Sequence, residues 1–476
     1  MKKLFFCLFL ASFSVFAQSK VYRTKVFEEK FFSFSAPNRP YPRLGNPLLD
    51  NNPNSFIVLD VERRKLIQDF FKFARKSNVR FDKFNETKAI PIEFLVQPNG
   101  TIDYMIFGYS TPRSLANQRF TYDDSLNSVN EQTLVNISEK FCQTYKLPAN
   151  LSQDKYSVGT LLNIGVSPRK SSKMFISTIT QAETCDKPDT VKTLQLNNLQ
   201  LETFPEVVFK FRNLEKLDLS DNFIERVPKK VYKIKHLRFL SLSNNMLDYK
   251  RFRVKRNQHL KDLNLQFTGM TRIPRTISKN RQLEVLFLGN NRIEESGKYY
   301  FKKMTNLKSL NLYNAGLSKV PANISRLSNL EELDLYYNRI QLLPDEICQM
   351  PKLKTLAISN NQIWKLPENI CQLSTLQTLY AHHNKLSILP KLPDLKLLHV
   401  GSNLFKSFPD EIYALTNLEE LDITKNQITD IPTRLVEFKK LQSLFMQGNY
   451  FDLLESKKAE LTKLVTDLEK KDILVR

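Results

Sequence analysis

The sequence predicts an α/β chain, a curved solenoid with a parallel sheet on its concave face, preceded by a small α+β domain. Three observations predict this. The template LxxLxLxxNxL recurs twelve times between Val191 and Phe451. Successive copies start 23 residues apart, except for one spacing of 24 (Leu283 to Leu307) and one of 19 (Leu376 to Leu395). Ahead of the repeats, two apolar runs flank Gln97-Pro98-Asn99-Gly100, a strong hairpin signal, and a helical period follows. At 476 residues the chain is too long for one ordinary core, so more than one unit is expected.

In each copy the LxxLxL segment reads as a short strand whose leucines enter the core, as in LEKLDLSDNFI and LEELDLYYNRI. The Asn that follows can bond backbone groups in the turn leaving the strand, where no ladder satisfies them. Leu199, Thr268 and Ala315 replace it in three copies, so those turns are expected to be less regular. A Pro then opens the return segment, where a missing N–H is tolerated. These motifs resemble the leucine-rich-repeat family, in its 23-residue LPxxIxxL class and of exported bacterial type. The resemblance covers Val191 to Phe451, about 261 of 476 residues. It implies a solenoid whose concave sheet faces a partner.

Residues 1–17 carry Lys2, Lys3 and a short apolar stretch ending at Val15-Phe16-Ala17, the pattern of a cleaved signal peptide. Residues 18–55 hold five prolines and read as irregular. Residues 56–186 read as the α+β domain. Its helices are expected over Val61–Ala74 and Ser128–Tyr145, and its strands over Ala89–Val96, Thr101–Phe107, Tyr156–Gly165 and Met174–Thr180. The hairpin IPIEFLVQPNGTIDYMIF with the helix VNEQTLVNISEKF resembles the carboxy-terminal domain of TonB-type periplasmic proteins. That resemblance implies a fold and no energy transduction, because no long Pro-rich spacer is read here. Residues 187–451 form the solenoid. Its abrupt start at Val191 calls for a cap near Cys185, and Cys142–Cys185 is the candidate disulfide. Residues 452–476 are expected to be a capping helix with Leu454, Leu461, Leu464, Val465 and Leu468 on its apolar face. Cys348 and Cys371 sit at one repeat position in adjacent coils and are expected to remain thiols.

The sequence contains no HExxH, GxSxG, P-loop or GxGxxG, so no catalytic residue, cofactor or metal is predicted. His382, His383 and His399 lie close in sequence, but the consecutive His382 and His383 point to opposite faces of a regular strand unless the strand has already ended. The candidate binding residues are Phe287, Tyr313, Asp334, Tyr336, Tyr337, Tyr380, His382 and His399, at solvent-facing strand positions of repeats five to ten. On those strand positions eleven acidic residues meet eight basic ones, although the whole chain is +22. The basic surplus falls on return segments, and Lys250, Arg251, Arg253, Lys255 and Arg256 are the candidate contact with an anionic surface. A mildly acidic strand face argues against nucleic acid as the concave ligand.

The sequence therefore predicts a monomeric, non-catalytic exported protein, periplasmic, surface-bound or secreted, that holds a protein or glycan on its concave face. Two other readings remain: a secreted regulator or hydrolase acting through the N-terminal domain, and a scaffold in peripheral contact with the envelope through its basic convex side.

Overall fold

The computed structural model describes residues 21–23, 66, 69–79, 88–97, 99, 101–107, 128–145, 156–164, 175–248, 250–293, 301 and 303–476. The expected signal peptide, and the segment 18–55 apart from residues 21–23, lie outside the described residues. The chain divides into two compact units, residues 1–169 and 170–476.

In the first unit, β1 (Val21–Arg23), β2 (Lys88–Val96), β3 (Ile102–Phe107) and β4 (Tyr156–Ile164) form a sheet in the order β1-β3-β2-β4. β2 is antiparallel to β3 and β4, and β1 is parallel to β3. The hairpin closes where its turn residues dictate. Gln97 N donates to the Thr101 carbonyl at 2.9 Å, and Asn99 Oδ1 accepts from Thr101 N (2.9 Å) and Oγ1 (2.7 Å). A helical run at 69–76 and α1 (Ser128–Thr144) bring Phe70 and Phe141 against Phe94 of the sheet. The three rings meet edge to face, with centroids 5.1 to 6.5 Å apart. Tyr145 Oη donates to Asp69 at 2.8 Å and ties the helical segments together.

The second unit is a parallel sheet of fourteen short strands in which every strand lies beside its sequence neighbour. The register joins equivalent positions: Leu286, Leu310, Leu333, Leu356 and Leu379 follow one another across the sheet. All five are at most 1% exposed. Most return segments are single 3-10 turns opened by Pro, whose carbonyl accepts the N–H three residues on, as from Ile347 to Pro344 at 3.0 Å.

The Asn ladder is shared between coils. The Asn338 amide donates to Leu312 O of the preceding coil (2.9 Å) and to Leu335 O of its own (2.8 Å). Its Oδ1 accepts from Ala315 N (3.1 Å) and Leu317 N (2.9 Å) of the preceding coil. The turns at Leu199, Thr268 and Ala315 are less regular, as expected: each adds a second left-handed residue, Gln200 (φ 56°), Gly269 (69°) or Gly316 (76°), that the nine turns with Asn lack. The residue before each still keeps the left-handed φ of its counterparts, 48° to 53°. Each turn stays satisfied because it receives its acceptor from the next coil: Asn222 serves Leu199, Asn291 serves Thr268 and Asn338 serves Ala315.

Both ends differ from the sequence reading. Met174–Thr180 is not a strand of the first unit. Among the described residues of that span only Phe175–Ile176 is a strand, and it pairs with Thr193–Leu194 of the solenoid. Thr178 then caps a short helix, Ile179–Glu183, by accepting from Gln181 N at 3.2 Å. Ile176 and Ala182 are buried on the first coil and Cys185 packs beside them, so the second unit begins at residue 170 rather than 187. At the other end the helix runs from Lys458 to Glu469. It buries Leu464 and Leu468 on the last coil, whereas Leu454 precedes it and is 41% exposed. Leu474–Val475 then closes the sheet edge by pairing with Ser443–Leu444.

Of the expected Cys142–Cys185 pair, one cysteine lies in each unit. Cys142 is 3% exposed and committed to the core of the first unit beside Phe141, while Cys185 is committed to the solenoid cap. Burial pushes the Cys348 thiol up to about 11, which makes it inert at neutral pH.

Two substitutions test this core. Leu333→Ala should cost ~2–5 kcal/mol by denaturant unfolding, as for other buried leucines. Asn338→Ala should cost at least ~3 kcal/mol, since coil six already lacks its Asn and the buried N–H groups of Ala315 and Leu317 lose their acceptor. Tyr336→Ala, on the opposite face, should cost under ~1 kcal/mol. Comparable losses for Leu333→Ala and Tyr336→Ala would reverse the assignment of faces.

Candidate partner-binding face

Within each LxxLxLxxN template, positions 2, 3, 5, 7 and 8 line the strand face of the solenoid. Position 2 alternates in sign along much of the sheet and neutralises itself. Lys192 pairs with Glu215 (2.8 Å), Lys354 with Glu331 (2.8 Å), and Glu284 with both Lys261 (2.5 Å) and Lys308 (2.9 Å). Hydrogen bonds from Lys261 and then Lys308 hold the Glu284 carboxyl below the usual carboxylate range. Pairs this exposed add little stability, but they remove free positive charge from the face.

Position 5 is often Asp or Asn, and its side chain serves the chain itself. Asp334 Oδ1 accepts from Tyr336 N at 3.0 Å and Oδ2 accepts from Asn311 Nδ2 at 2.5 Å. Asp218, Asn264 and Asp422 hold the N–H two residues on in the same way. Burial raises the Asp334 pKa, against the Tyr336 hydrogen bond. Asp334 therefore fixes the turn that presents Tyr336.

Positions 7 and 8 carry five of the aromatic groups, and position 5 carries Tyr380 and His399. Tyr313 and Tyr336 stack at 5.8 Å with planes 12° apart, and Tyr337 meets Tyr336 edge-on at 4.7 Å. Tyr336 Oη lies 3.1 Å from His382 Nε2, and Ser359 Oγ lies 3.0 Å from His382 Nδ1. The His382 ring is 5.5 Å from His383 and 6.5 Å from His399. His399 meets Tyr380 edge-on at 5.0 Å, and its Nε2 lies 2.5 Å from Glu420 Oε1. The result is one connected array of seven rings across coils six to ten.

Two family models match the second unit: a leucine-rich repeat region over residues 296–383, and a leucine rich repeat over residues 189–247 and 393–451. The solenoid is a leucine-rich-repeat domain. Among solved structures, a leucine-rich-repeat protein from Leptospira interrogans matches with a TM-score of 0.51 and 25% identity, over 64% of this chain and 81% of that one. An internalin from Listeria monocytogenes matches with a TM-score of 0.45 and 21% identity, over 55% and 75%. The leucine-rich-repeat ectodomain of a plant receptor kinase from Arabidopsis thaliana matches with a TM-score of 0.42 and 26% identity, over 55% and 39%. No curated protein sequence matches the chain.

The leucine-rich-repeat domain brings together Tyr313, Tyr336, Tyr337, Tyr380, His382 and His399, with His383 beside them. The two consecutive histidines share a side because the strand ends at Tyr380 and His383 is left-handed, with φ 53°. Among the described residues no group of three His, Cys, Asp or Glu is arranged to hold a metal ion. Phe287 lies in register with Asn264 and Asn311, on coil five, outside the ring array. Lys250, Arg251, Arg253, Lys255 and Arg256 are all exposed on a return segment.

Sequence reasoning missed a second group. Trp364, the one tryptophan of the chain, is 50% exposed, and Leu342 and Ile388 are 48% and 61% exposed. They stand three or four residues beyond the repeat Asn of coils seven, eight and nine, beside the turns that carry Tyr337 and His383. A signal was present: the residue three after the repeat position is polar in the neighbouring coils, as in Gln341 and Ser387, and only coil eight puts Trp there.

His382 makes this face sensitive to pH. Burial lowers its pKa below the 6.5 of a free imidazole; nearby His383 and His399 act in the same direction, and Asp422 opposes them. The unfolded chain then binds the proton at a higher pH than the folded one, so stability falls as the pH drops from neutral through that range. The native chain should lose more melting temperature than His382→Gln between about pH 7.5 and 5.5. Equal losses would show that His382 is not coupled to the fold.

Proposed function

We propose that this is a non-catalytic, exported binding protein that holds a protein partner on the concave face of its leucine-rich repeats, centred on coils six to ten. The observation that carries the reading is the connected array of seven rings on a solvent-facing sheet. Its members are half-buried or exposed and are held by one another, by Ser359 and by the Asp334 turn. Aromatic groups already restrained in this way lose little entropy on binding, which lets a few of them dominate affinity. The exposed Trp364, Leu342 and Ile388 beside the array favour a protein over a glycan, because they add apolar area that a polar chain of sugars would leave wet. The partner's contact segment is basic or neutral polar. Acidic side chains outnumber basic ones on the strand positions, and the lysines at position 2 are paired. Export is read from the amino-terminal pattern of Lys2, Lys3 and the apolar run to Phe16.

Crosslinking and mass spectrometry on envelope and culture fractions would recover the partner. Tyr313→Ala, Tyr336→Ala, Tyr380→Ala and Trp364→Ala would then be measured for affinity and melting temperature. At least one should cost ~2 kcal/mol of binding or more with the melting temperature nearly unchanged. Four silent substitutions would remove the concave reading.

A further inference from the structure

The outer side of coils two to four carries a charge pattern that the concave face does not use. The return segment of coil two holds Arg226, Lys229, Lys230, Lys233 and Lys235, against Glu225. The next holds Lys250, Arg251, Arg253, Lys255 and Arg256, against Asp248, and the third holds Arg272, Arg275, Lys279 and Arg281 with no acidic residue. All fourteen cations are exposed. Return segments elsewhere are close to neutral, such as Arg339 to Lys352 with two basic and two acidic residues. Arg251 sits 3.6 Å from Asp248, too long and too exposed a pair to neutralise the group. Lys230 lies 4.3 Å over the Phe209 ring, which leaves its charge in place.

The arrangement is maintained by packing. Along coil three, Phe252 and Val254 are buried while Arg251, Arg253 and Lys255 between them face out. Coils stack about 4.8 Å apart at the sheet, so three coils of like charge are held together against their own repulsion. The patch runs on the order of 20 Å along a coil and ~10 Å across, wider than the ~8 Å screening length of physiological salt in both directions. Among the described residues, no large apolar side chain is exposed on these coils; those that are lie at Tyr337 and beyond.

We infer that this patch docks the protein peripherally on a bilayer surface rich in anionic lipid. A planar array of head groups meets all three rows of cations, whereas a linear polyanion lying along one coil meets one row. A contact made by these cations is electrostatic and reversible by salt. The concave face is left free for its own partner.

The test is sedimentation of the full chain with vesicles of phosphatidylcholine alone or with about one third phosphatidylglycerol, at roughly 0.05 and 0.5 M NaCl. Binding is expected to the anionic vesicles only, to be lost at the higher salt, and to weaken at least tenfold, on the order of the loss of three surface cations, in Arg251→Gln/Arg253→Gln/Arg256→Gln. Arg272→Gln/Arg275→Gln gives an independent variant if the first does not fold, and Tyr336→Ala should bind vesicles like the native chain. Equal binding to neutral vesicles, or anionic binding unchanged in the folded variants, overturns the inference. So does failure to bind vesicles while soluble heparin binds through the same arginines, which would assign the patch to a linear polyanion.

Discussion

The buried Asn amide that bridges one coil to the next is the constraint on which the solenoid rests. A turn after a three-residue strand leaves N–H and C=O groups inside the molecule with no ladder to receive them. One Asn side chain reaches both its own coil and the one before, as Asn291 does with Leu265 O, Leu288 O, Thr268 N and Met270 N. The left-handed residue that precedes it, φ 50° to 78° in the nine coils that carry the Asn, aims the amide inward. Satisfaction is thus a property of pairs of coils, and the array tolerates an isolated gap such as Ala315 because its neighbour supplies the oxygen.

With the interior fixed by Leu and Asn, the template positions that face solvent are free to differ, and they divide the surface by task. Position 2 cancels charge across the sheet, position 5 holds turns where it is Asp or Asn and displays a ring at Tyr380 and His399, and positions 7 and 8 display the other rings. The Asp334 carboxylate illustrates the division. Read alone, it is a polar anchor for a ligand; in place, both oxygens are used by Tyr336 N–H and the Asn311 amide, and its effect on a partner acts through Tyr336. The outer side of coils two to four shows the opposite case, where fourteen cations stand against two acidic residues, Glu225 and Asp248. Pairing along a repeat row therefore decides which charges remain available for a partner, more than composition does.

The sequence by itself determined the repeating part of this protein. Spacing fixes the coil, the leucine pattern fixes which side is buried, and stacking identical coils leaves one topology, because equivalent positions must fall beside one another. Tertiary structure alone decided the rest, and the reason is the same in each case: the outcome depends on groups distant in sequence. The first coil needed an apolar cover, and Phe175–Ile176 joined its sheet although its sequence suits the preceding domain equally well. The last strand edge needed a partner, and Leu474–Val475 provided it after the capping helix. Whether His382 and His383 face apart or together depends on where the strand ends, and they face together because it stops at Tyr380 and the turn reverses at His383. Periodicity reports how a residue relates to its own coil; which rings touch and which carboxylates are already engaged is set by contacts between residues 20 or more positions apart, as between Ser359 and His382.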